Sequence, residues 1–538
     1  MTNANQYHNI YVPLADVIDL SGPGVLKEFE PKAEDEKNLI VLHEGMKKEL
    51  TRLKNRGSVA ARDFLREMQQ STDKISWNES KPDDYVIHNI SSKLDVAFLK
   101  GEIRNEAEFK GLEDRIKKTW SATDLDEKNP YTKPIFITTK DEDVIDLKHQ
   151  KIISQKPDFL IVDSDVVKKG VVTATSSKFI QRIFSDPNNT MSLDEAIDLI
   201  RPQGDVLYPN QFIRIRGGGE EQYAKVACDL IKSPSGKIIG YENARVELFG
   251  KKEYGKEIKI GERRRTPDIL GITPQDMEQY IAFQHMFYNQ DVEVVFLTGY
   301  AGSGKTLLSY AAAIDHVLQY DKEVAKLRGS GLDKYGKERR SFFDKALLIK
   351  PDDFVGGRNP GWLPGDLFKK LKDHFKPFLH AHEETVLDET MRFDDLFAHP
   401  KRGNDYFEKP REEGVSRAKI NGEAYLPSKN EALVPIHIGH IRGASMKHLI
   451  VVDEPSNLTP YEMKTLMERA APGSRIFISG DPKQVDNPRC TTDINGLTHA
   501  VKHYLPSPIS AVLHLTRNYR SAAAEHARTW NVYQDSHQ

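Results

Sequence analysis

Between residues 291 and 306 the apolar run Val294-Val-Phe-Leu297 gives way to Thr298-Gly-Tyr-Ala-Gly-Ser-Gly-Lys-Thr306, and the alanine- and leucine-rich residues 307–318 follow. A short apolar run without alternation predicts a strand buried on both faces, and the stretch behind the glycines predicts a helix. Leu449-Ile-Val-Val452 and Arg475-Ile-Phe-Ile-Ser479 repeat the pattern, each ending in polar residues. From about residue 270 onward this reads as a parallel sheet with helices on its faces. The charged, aperiodic stretches 320–342 and 383–432 read as surface insertions.

Upstream the pattern changes twice. Residues 10–12, 39–42 and 134–138 are strand-like, and Met46, Leu50, Leu53, Phe64 and Leu65 fall at helical spacing across 45–68. Residues 101–133 read as an exposed helix and loop. Between 200 and 262 short alternating runs, among them 211–216 and 237–241, are separated by Gly217-Gly-Gly219 and Pro234-Ser-Gly236, predicting a small antiparallel module. Its Phe212, Tyr223 and Tyr241 suit either a core or a platform for bases. Arg263-Arg-Arg265 reads as a solvated basic linker. The fold class is therefore α/β in three parts: an α/β domain over 1–155, a β-rich middle module and linker over 156–265, and a P-loop domain over 266–538.

Composition narrows the partners. The net charge is −3, so any nucleic acid must be held by a local basic groove. Cys228 and Cys490 are the only cysteines, which excludes a disulfide framework and a cysteine-based zinc site. No apolar stretch approaches the length of a membrane span, and the expected location is the cytoplasm.

Gly299, Gly304, Lys305 and Thr306 occupy the fixed places of G-x-x-x-x-G-K-[ST]. In such a loop, Gly299, Tyr300, Ala301, Gly302, Ser303 and Gly304 wrap backbone amides around a triphosphate. Lys305 reaches the β and γ phosphates, and the Thr306 hydroxyl holds Mg²⁺. The apolar run 449–452 ends in Asp453-Glu454, the place where parallel sheets present ligands. Asp453 is the second Mg²⁺ ligand and Glu454 the residue that polarises water. Gln484 in Gly480-Asp-Pro-Lys-Gln484 is a γ-phosphate sensor, and Arg520 in Asn518-Tyr-Arg-Ser521 stabilises the phosphoryl transition state.

The order of these elements resembles motifs I to IV of superfamily-1 helicases, and more closely the PhoH family of single-domain ATPases. Gly302-Ser-Gly-Lys-Thr306, Gly361-Trp-Leu-Pro-Gly-Asp366, Ile441-Arg-Gly443, Asn457-Leu-Thr-Pro460, Met463-Lys-Thr465, Asp486-Asn-Pro488 and Asn495-Gly-Leu497 carry the likeness over about 270–530. It implies a RecA-like fold, ATP and Mg²⁺ as cofactors, and hydrolysis coupled to RNA or single-stranded nucleic acid. It places an adenine-reading glutamine at Gln279 and nucleic acid along 350–358 and 361–366. Two positions depart from the family pattern. Asp453-Glu-Pro-Ser456 replaces D-E-A-Q, and Arg442-Gly-Ala444 replaces R-G-R. These departures leave room for a second reading, a nucleotide-switched oligomeric scaffold that moves no strand. No second RecA-like lobe follows Ser521, so a neighbouring subunit is expected to close the site in a homo-oligomer, a hexamer first. His437-Ile-Gly-His440 matches the HIGH signature of class I aminoacyl-tRNA synthetases, but the partner K-M-S-K-S loop is missing.

Some PhoH proteins carry an N-terminal PIN domain, and residues 10–152 resemble one. The resemblance implies metal-binding acids at Glu49, Asp83 and Asp141, with Asp16 displaced by two residues from the usual first acid. It implies a second Mg²⁺ or Mn²⁺ and either a ribonuclease or a degenerate domain that only binds RNA.

Overall fold

The structure is a computed structural model. It describes residues 7–34, 36–72, 85–99, 107–120, 134–200, 206–216, 222–249, 270–289, 291–318, 343, 345–351, 375–385, 393, 417–420, 424–427, 433–436, 438, 445–446 and 448–527. It falls into two compact units, Met1–Val162 with Thr459–Glu462, and Asp163–Leu458 with Met463–Gln538.

The first unit is built on β1 (Asn9–Pro13), α1 (Ala15–Ser21), β2 (Asn38–His43), α2 (Glu44–Asn55), α3 (Val59–Thr72), β3 (Tyr85–Ser91), β4 (Leu94–Leu99), α4 (Ala107–Trp120), β5 (Ile135–Ile137), α5 (Asp141–His149) and β6 (Ser154–Gln155). Its sheet runs β3-β4-β2-β1-β5-β6, and only the β3/β4 pair is antiparallel. The expected helix over 45–68 is two helices. Gly57 takes φ 99°, a left-handed conformation open to glycine at little cost, and ends the first. The Ser58 hydroxyl then accepts the Ala61 amide at 3.1 Å and starts the second.

In the second unit, β7 (Val171–Ala174), α6 (Ser177–Ser185), β8 (Thr190–Ser192), α7 (Leu193–Ile200), β9 (Phe212–Ile215), β10 (Gln222–Lys232) and β11 (Ile238–Phe249) form a sheet in the order β7-β9-β10-β11-β8. The module is antiparallel except for β7/β9, and it carries two helices that the alternating pattern did not announce. One set of side chains, including Phe179, Ile183, Val226 and Val246, makes its own core. Phe212, Tyr223 and Phe249 instead join the large core beside the P-loop, packing with Tyr280 and Ile281. Of the three candidate stacking aromatics, Phe212 and Tyr223 are thus core residues, and Tyr241 is exposed.

The P-loop sheet contains β12 (Val294–Gly299), β13 (Ala346–Ile349), β16 (Leu433–Ile436), β17 (Leu449–Asp453), β18 (Arg475–Gly480) and β19 (Ser510–Leu515), ordered β16-β13-β17-β18-β12-β19. The remaining strands, β14 (Arg417–Ile420) and β15 (Ala424–Pro427), make a separate two-stranded ribbon. Every pair in the six-stranded sheet is parallel. Burial on both faces explains the continuous apolar runs. Parallel pairing also brings the loops after β12, β17, β18 and β19 to one edge. α8 (Met277–Phe283) continues as a π-turn to Tyr288. The buried Arg475 guanidinium donates to the carbonyls of His285 at 2.7 Å, Met286 at 2.7 Å, Asn289 at 3.2 Å and Val292 at 3.2 Å. It satisfies the acceptors left open at the end of that helix. No helix among the described residues is long and apolar enough to cross a membrane.

Candidate nucleotide site

Leu297 and Thr298 pair with Ser479 and Gly480 of β18 on one side and with Leu513 and His514 of β19 on the other. The chain leaves β12, the strand next to the β19 edge, into the P-loop and continues as α9 (Lys305–Leu318). Gly299, Gly302 and Gly304 have φ of 140°, 81° and 88°. A β-carbon on Gly299 would collide with the Leu515 carbonyl, and one on Gly302 with the Asn518 side chain. Gly299 and Gly302 are thus required twice, by backbone conformation and by space, and Gly304 by conformation.

Lys305 is buried and donates to the carbonyls of Gly299 and Tyr300, both at 2.8 Å. Burial pulls its pKa below the ordinary lysine value, while Asp481, Asp453 and Glu454 oppose that shift. Thr306 Oγ1 lies 3.1 and 3.3 Å from the two carboxylate oxygens of Asp453. The Ser479 hydroxyl donates to Asp453 Oδ1 at 2.6 Å. Burial raises the Asp453 pKa, and Glu454 adds to the shift. Lys350 opposes the shift through its charge, and the hydroxyls of Thr306 and Ser479 hydrogen-bond the carboxylate. A buried carboxylate beside a threonine hydroxyl is a hard oxygen donor set that fits Mg²⁺.

Glu454 follows in a left-handed conformation, φ 54° and ψ 45°, uncommon for a residue with a side chain. Lys350, next to β13, pairs with the Glu454 carboxylate at 3.0 Å, and the Glu454 amide donates to the Ser479 carbonyl at 2.9 Å. Ser456, the residue that departs from the family pattern, is buried and donates to the Gln484 carbonyl at 2.8 Å. The acidic strand end is thereby tied to the loop after β18. Asn457 strengthens the link by accepting the amides of Asp486 at 2.7 Å and Asn487 at 3.2 Å. The Gln484 side chain itself is exposed.

Tyr519 donates its amide to the Gly302 carbonyl at 2.9 Å, which sets the stretch 518–520 against the P-loop. Arg520 donates its amide to Asn518 Oδ1 at 2.8 Å, and its side-chain carbons lie against Gly302. Gln279 is turned inward: Oε1 accepts the Gln275 amide at 2.8 Å and Nε2 donates to the Ser303 carbonyl at 3.1 Å. Its amide thus braces the P-loop.

No sequence pattern pointed to the support behind the stretch 516–520. Glu278, buried, accepts the Thr516 amide at 2.7 Å and the Thr516 hydroxyl at 3.0 Å. Its other contact is the Arg214 guanidinium from β9, whose Nε donates to the Tyr223 hydroxyl at 3.0 Å. An ion pair thus runs from the middle module to the residues touching the P-loop. Ser479 was legible only as part of the strand-like run 475–479; neither its contact with Asp453 nor Arg214 was.

The N-terminal acids are arranged differently. Asp16 Oδ2 accepts Thr138 Oγ1 at 2.8 Å, the Thr139 amide at 2.6 Å and Thr139 Oγ1 at 2.7 Å. Thr138 Oγ1 also lies 3.2 Å from Asp143, whose pKa burial raises, with Asp16 adding to the shift. Asp143, not the expected Asp141, is therefore the neighbour of Asp16. Asp141 lies on the exposed first turn of α5 and pairs with Lys156 at 2.8 Å, because two residues along a helix point a side chain to a different face. Glu49 pairs with Arg52 at 3.3 Å on the surface of α2. Asp83, His437, His440, Arg442 and the stretch 361–366 lie outside the described residues. No group of three or more metal-ligating side chains occurs among the described residues. Asp16 Oδ1 is buried without a partner, but two acids alone fall short of the expected metal set.

A family model described as PhoH-like protein matches residues 337–529, from ahead of β13 to beyond β19. The chain is 26% identical over 401 residues to protein PhoH2 of Bacillus subtilis, covering 73% of this chain and 71% of that one. It is 25% identical over 258 residues to protein PhoH2 of Mycolicibacterium smegmatis, covering 48% and 46%. It is 22% identical over 242 residues to protein PhoH of Escherichia coli, covering 45% and 53%. This chain thus spans about half the length of the latter two. Residues 337–529 thus carry a PhoH family domain, behind a P-loop whose Thr306 is paired with Asp453.

Proposed function

We propose that this chain is an ATP- and Mg²⁺-dependent ATPase acting on RNA or single-stranded nucleic acid. The observation that carries the hydrolytic reading is the buried Asp453 carboxylate within hydrogen-bonding reach of Thr306, with Glu454 next to it. Mg²⁺ held by Thr306 and Asp453 supplies charge to screen the phosphate oxygens. Lys305 is poised to exchange its two carbonyl contacts for β and γ phosphate oxygens. Glu454, fixed by Lys350, orients and deprotonates water, and Arg520 lies against the loop where charge develops.

The Ser456 contact with the Gln484 carbonyl favours the motor over the scaffold. It supplies a covalently short path from the water-polarising residue to the sensor loop. We assign the N-terminal unit an RNA-binding role derived from a PIN-like fold, and the assembly a homo-oligomeric ring in the cytoplasm. The test is ATP turnover with and without single-stranded RNA, in the native chain and in Lys305→Ala. Expected are stimulation by RNA and a loss of about 10²–10³-fold in the variant. Turnover unchanged by the variant would overturn the hydrolytic reading, and indifference to RNA the nucleic-acid reading.

A further inference from the structure

A polar cavity lies between β9, the start of α8 and the residues that follow β19. Its volume is about 120 Å³, and its charged lining is Arg214, Arg216, Asp276, Glu278 and Arg517, with Thr516 beside them. The P-loop residues 299–306 take no part in the lining. Arg216, Thr516 and Arg517 are exposed, so the cavity opens to solvent on their side. The Arg216 amide donates to the Ala174 carbonyl at 3.1 Å and continues the strand pairing past β9. Arg214 and Arg216, two residues apart on an extended chain, therefore point to the same face.

The two acids are already engaged. Glu278 pairs with Arg214 and accepts the Thr516 amide at 2.7 Å and the Thr516 hydroxyl at 3.0 Å. Asp276 Oδ1 accepts the Gln279 amide at 2.8 Å, and its Oδ2 accepts the Tyr519 hydroxyl. The Arg517 side chain makes no hydrogen bond or ion pair among the described residues. Three guanidiniums against two carboxylates leave the lining with one positive charge in excess. An open polar cavity with exposed guanidiniums is a receptor for an oxyanion. Size narrows the choice. An apolar cavity of about 150 Å³ accepts benzene, so this smaller one has room for a tetrahedral phosphoryl group but not for a base with its sugar.

We propose that this cavity holds one backbone phosphodiester of a single strand, with Arg216 and Arg517 donating to its non-bridging oxygens and Arg214 adding charge from within. The inference rests on the nucleic-acid reading above and gives the strand a contact that the motif comparison did not supply. Charge favours the diester. It carries one negative charge, equal and opposite to the excess of the lining, whereas a phosphate monoester carries about 1.5–2 at neutral pH. Arg517 is two residues from Tyr519, whose amide donates to the Gly302 carbonyl, so a strand held here lies beside the residues that touch the P-loop.

The experiment measures binding of labelled hexauridylate and hexaadenylate to the full chain by fluorescence anisotropy at several salt concentrations. Binding of inorganic phosphate is followed by calorimetry. The variants are Arg517→Gln, Arg216→Gln and the charge-keeping Arg517→Lys, each melted to check the fold. Expected in each glutamine variant is a loss of about three- to tenfold, equal for the two oligonucleotides, because a phosphate contact carries no sequence information. The slope of log affinity against log salt should become shallower by about 0.7 per arginine removed, and Arg517→Lys should keep the native slope. Native affinity and slope in both glutamine variants would overturn the pocket and leave the nucleic-acid reading standing. No oligonucleotide binding by the native chain would overturn both. Weakening of one oligonucleotide alone would mark a base contact and overturn the phosphate assignment. Loss of inorganic phosphate binding in the variants, with strand binding unchanged, would assign the cavity to free phosphate and overturn the strand. A lowered melting temperature with an unchanged slope would mark a structural role and overturn the pocket as well.

Discussion

The loop ends of β12, β17 and β18 and the ends of β1 and β5 both present carboxylates at the carboxyl edge of a parallel sheet, yet only the first set converges as its sequence suggests. Thr306 and Asp453 are 147 residues apart and meet at 3.1 Å. Asp141 and Asp16 were expected together and are not; Asp143 takes the place. The difference is one of anchoring. Asp453 is the last residue of a buried strand, so the register of the sheet fixes it. Asp141 begins a helix, where a shift of two residues turns a side chain from the sheet edge to solvent. Positions fixed by strand register are safer to read from sequence than positions fixed by helix phase.

The comparison is most severely tested where the nucleotide site depends on a distant support. Arg214→Ala leaves Glu278 as a buried charge without its cation, at a cost of about 3–5 kcal/mol in stability. The variant should melt earlier and lose turnover through a freed 516–520 stretch, whereas Arg214→Met with Glu278→Gln recovers much of the stability. Calorimetric unfolding and the ATPase rate check both parts.

Next is Asp453→Asn. Burial raises the pKa of this acid, so the fold favours its protonated form. Its stabilising contribution is present at acid pH and is lost as pH rises through the folded-state value. Without metal, the asparagine variant should therefore be at least as stable as the native chain at neutral pH and lack its decline with rising pH. It should also lose Mg²⁺-dependent turnover. Thermal melts across pH in a chelating buffer, paired with turnover assays, decide this.

A smaller effect is expected from Ser456→Ala, which removes one hydrogen bond worth about 1 kcal/mol. Stimulation by RNA should fall while basal turnover changes little. If both fall together, Ser456 supports the site and does not couple it. The smallest effect is Asp141→Asn. An exposed ion pair contributes about 0–1 kcal/mol, and neither RNA binding nor any cleavage should change, in contrast to Asp16→Asn. A matching loss in the two variants would restore Asp141 to the site.

Much of the second unit was legible because its chemistry is carried by short contiguous runs. Gly299, Gly302 and Gly304 take positive φ, a requirement local to the loop, and the runs 294–297, 449–452 and 476–478 are apolar because both sheet faces are buried. The helices over 177–185 and 193–200 were missed because the alternating runs that defined the module begin only at about residue 200. The break at Gly57-Ser58 was present in the sequence as a stop signal followed by a start signal, inside a helical period that concealed both.

By itself the chain determined the phosphate-binding loop, the acidic strand end that accompanies it and the α/β character of both ends, since each is set by neighbours in sequence and by burial of whole strands. Only the tertiary structure decided that Asp143 neighbours Asp16, that Gln279 braces the P-loop and that Arg214 supports residues 516–520. These depend on contacts between residues far apart along the chain, where direction and distance arise from packing and no local pattern records them.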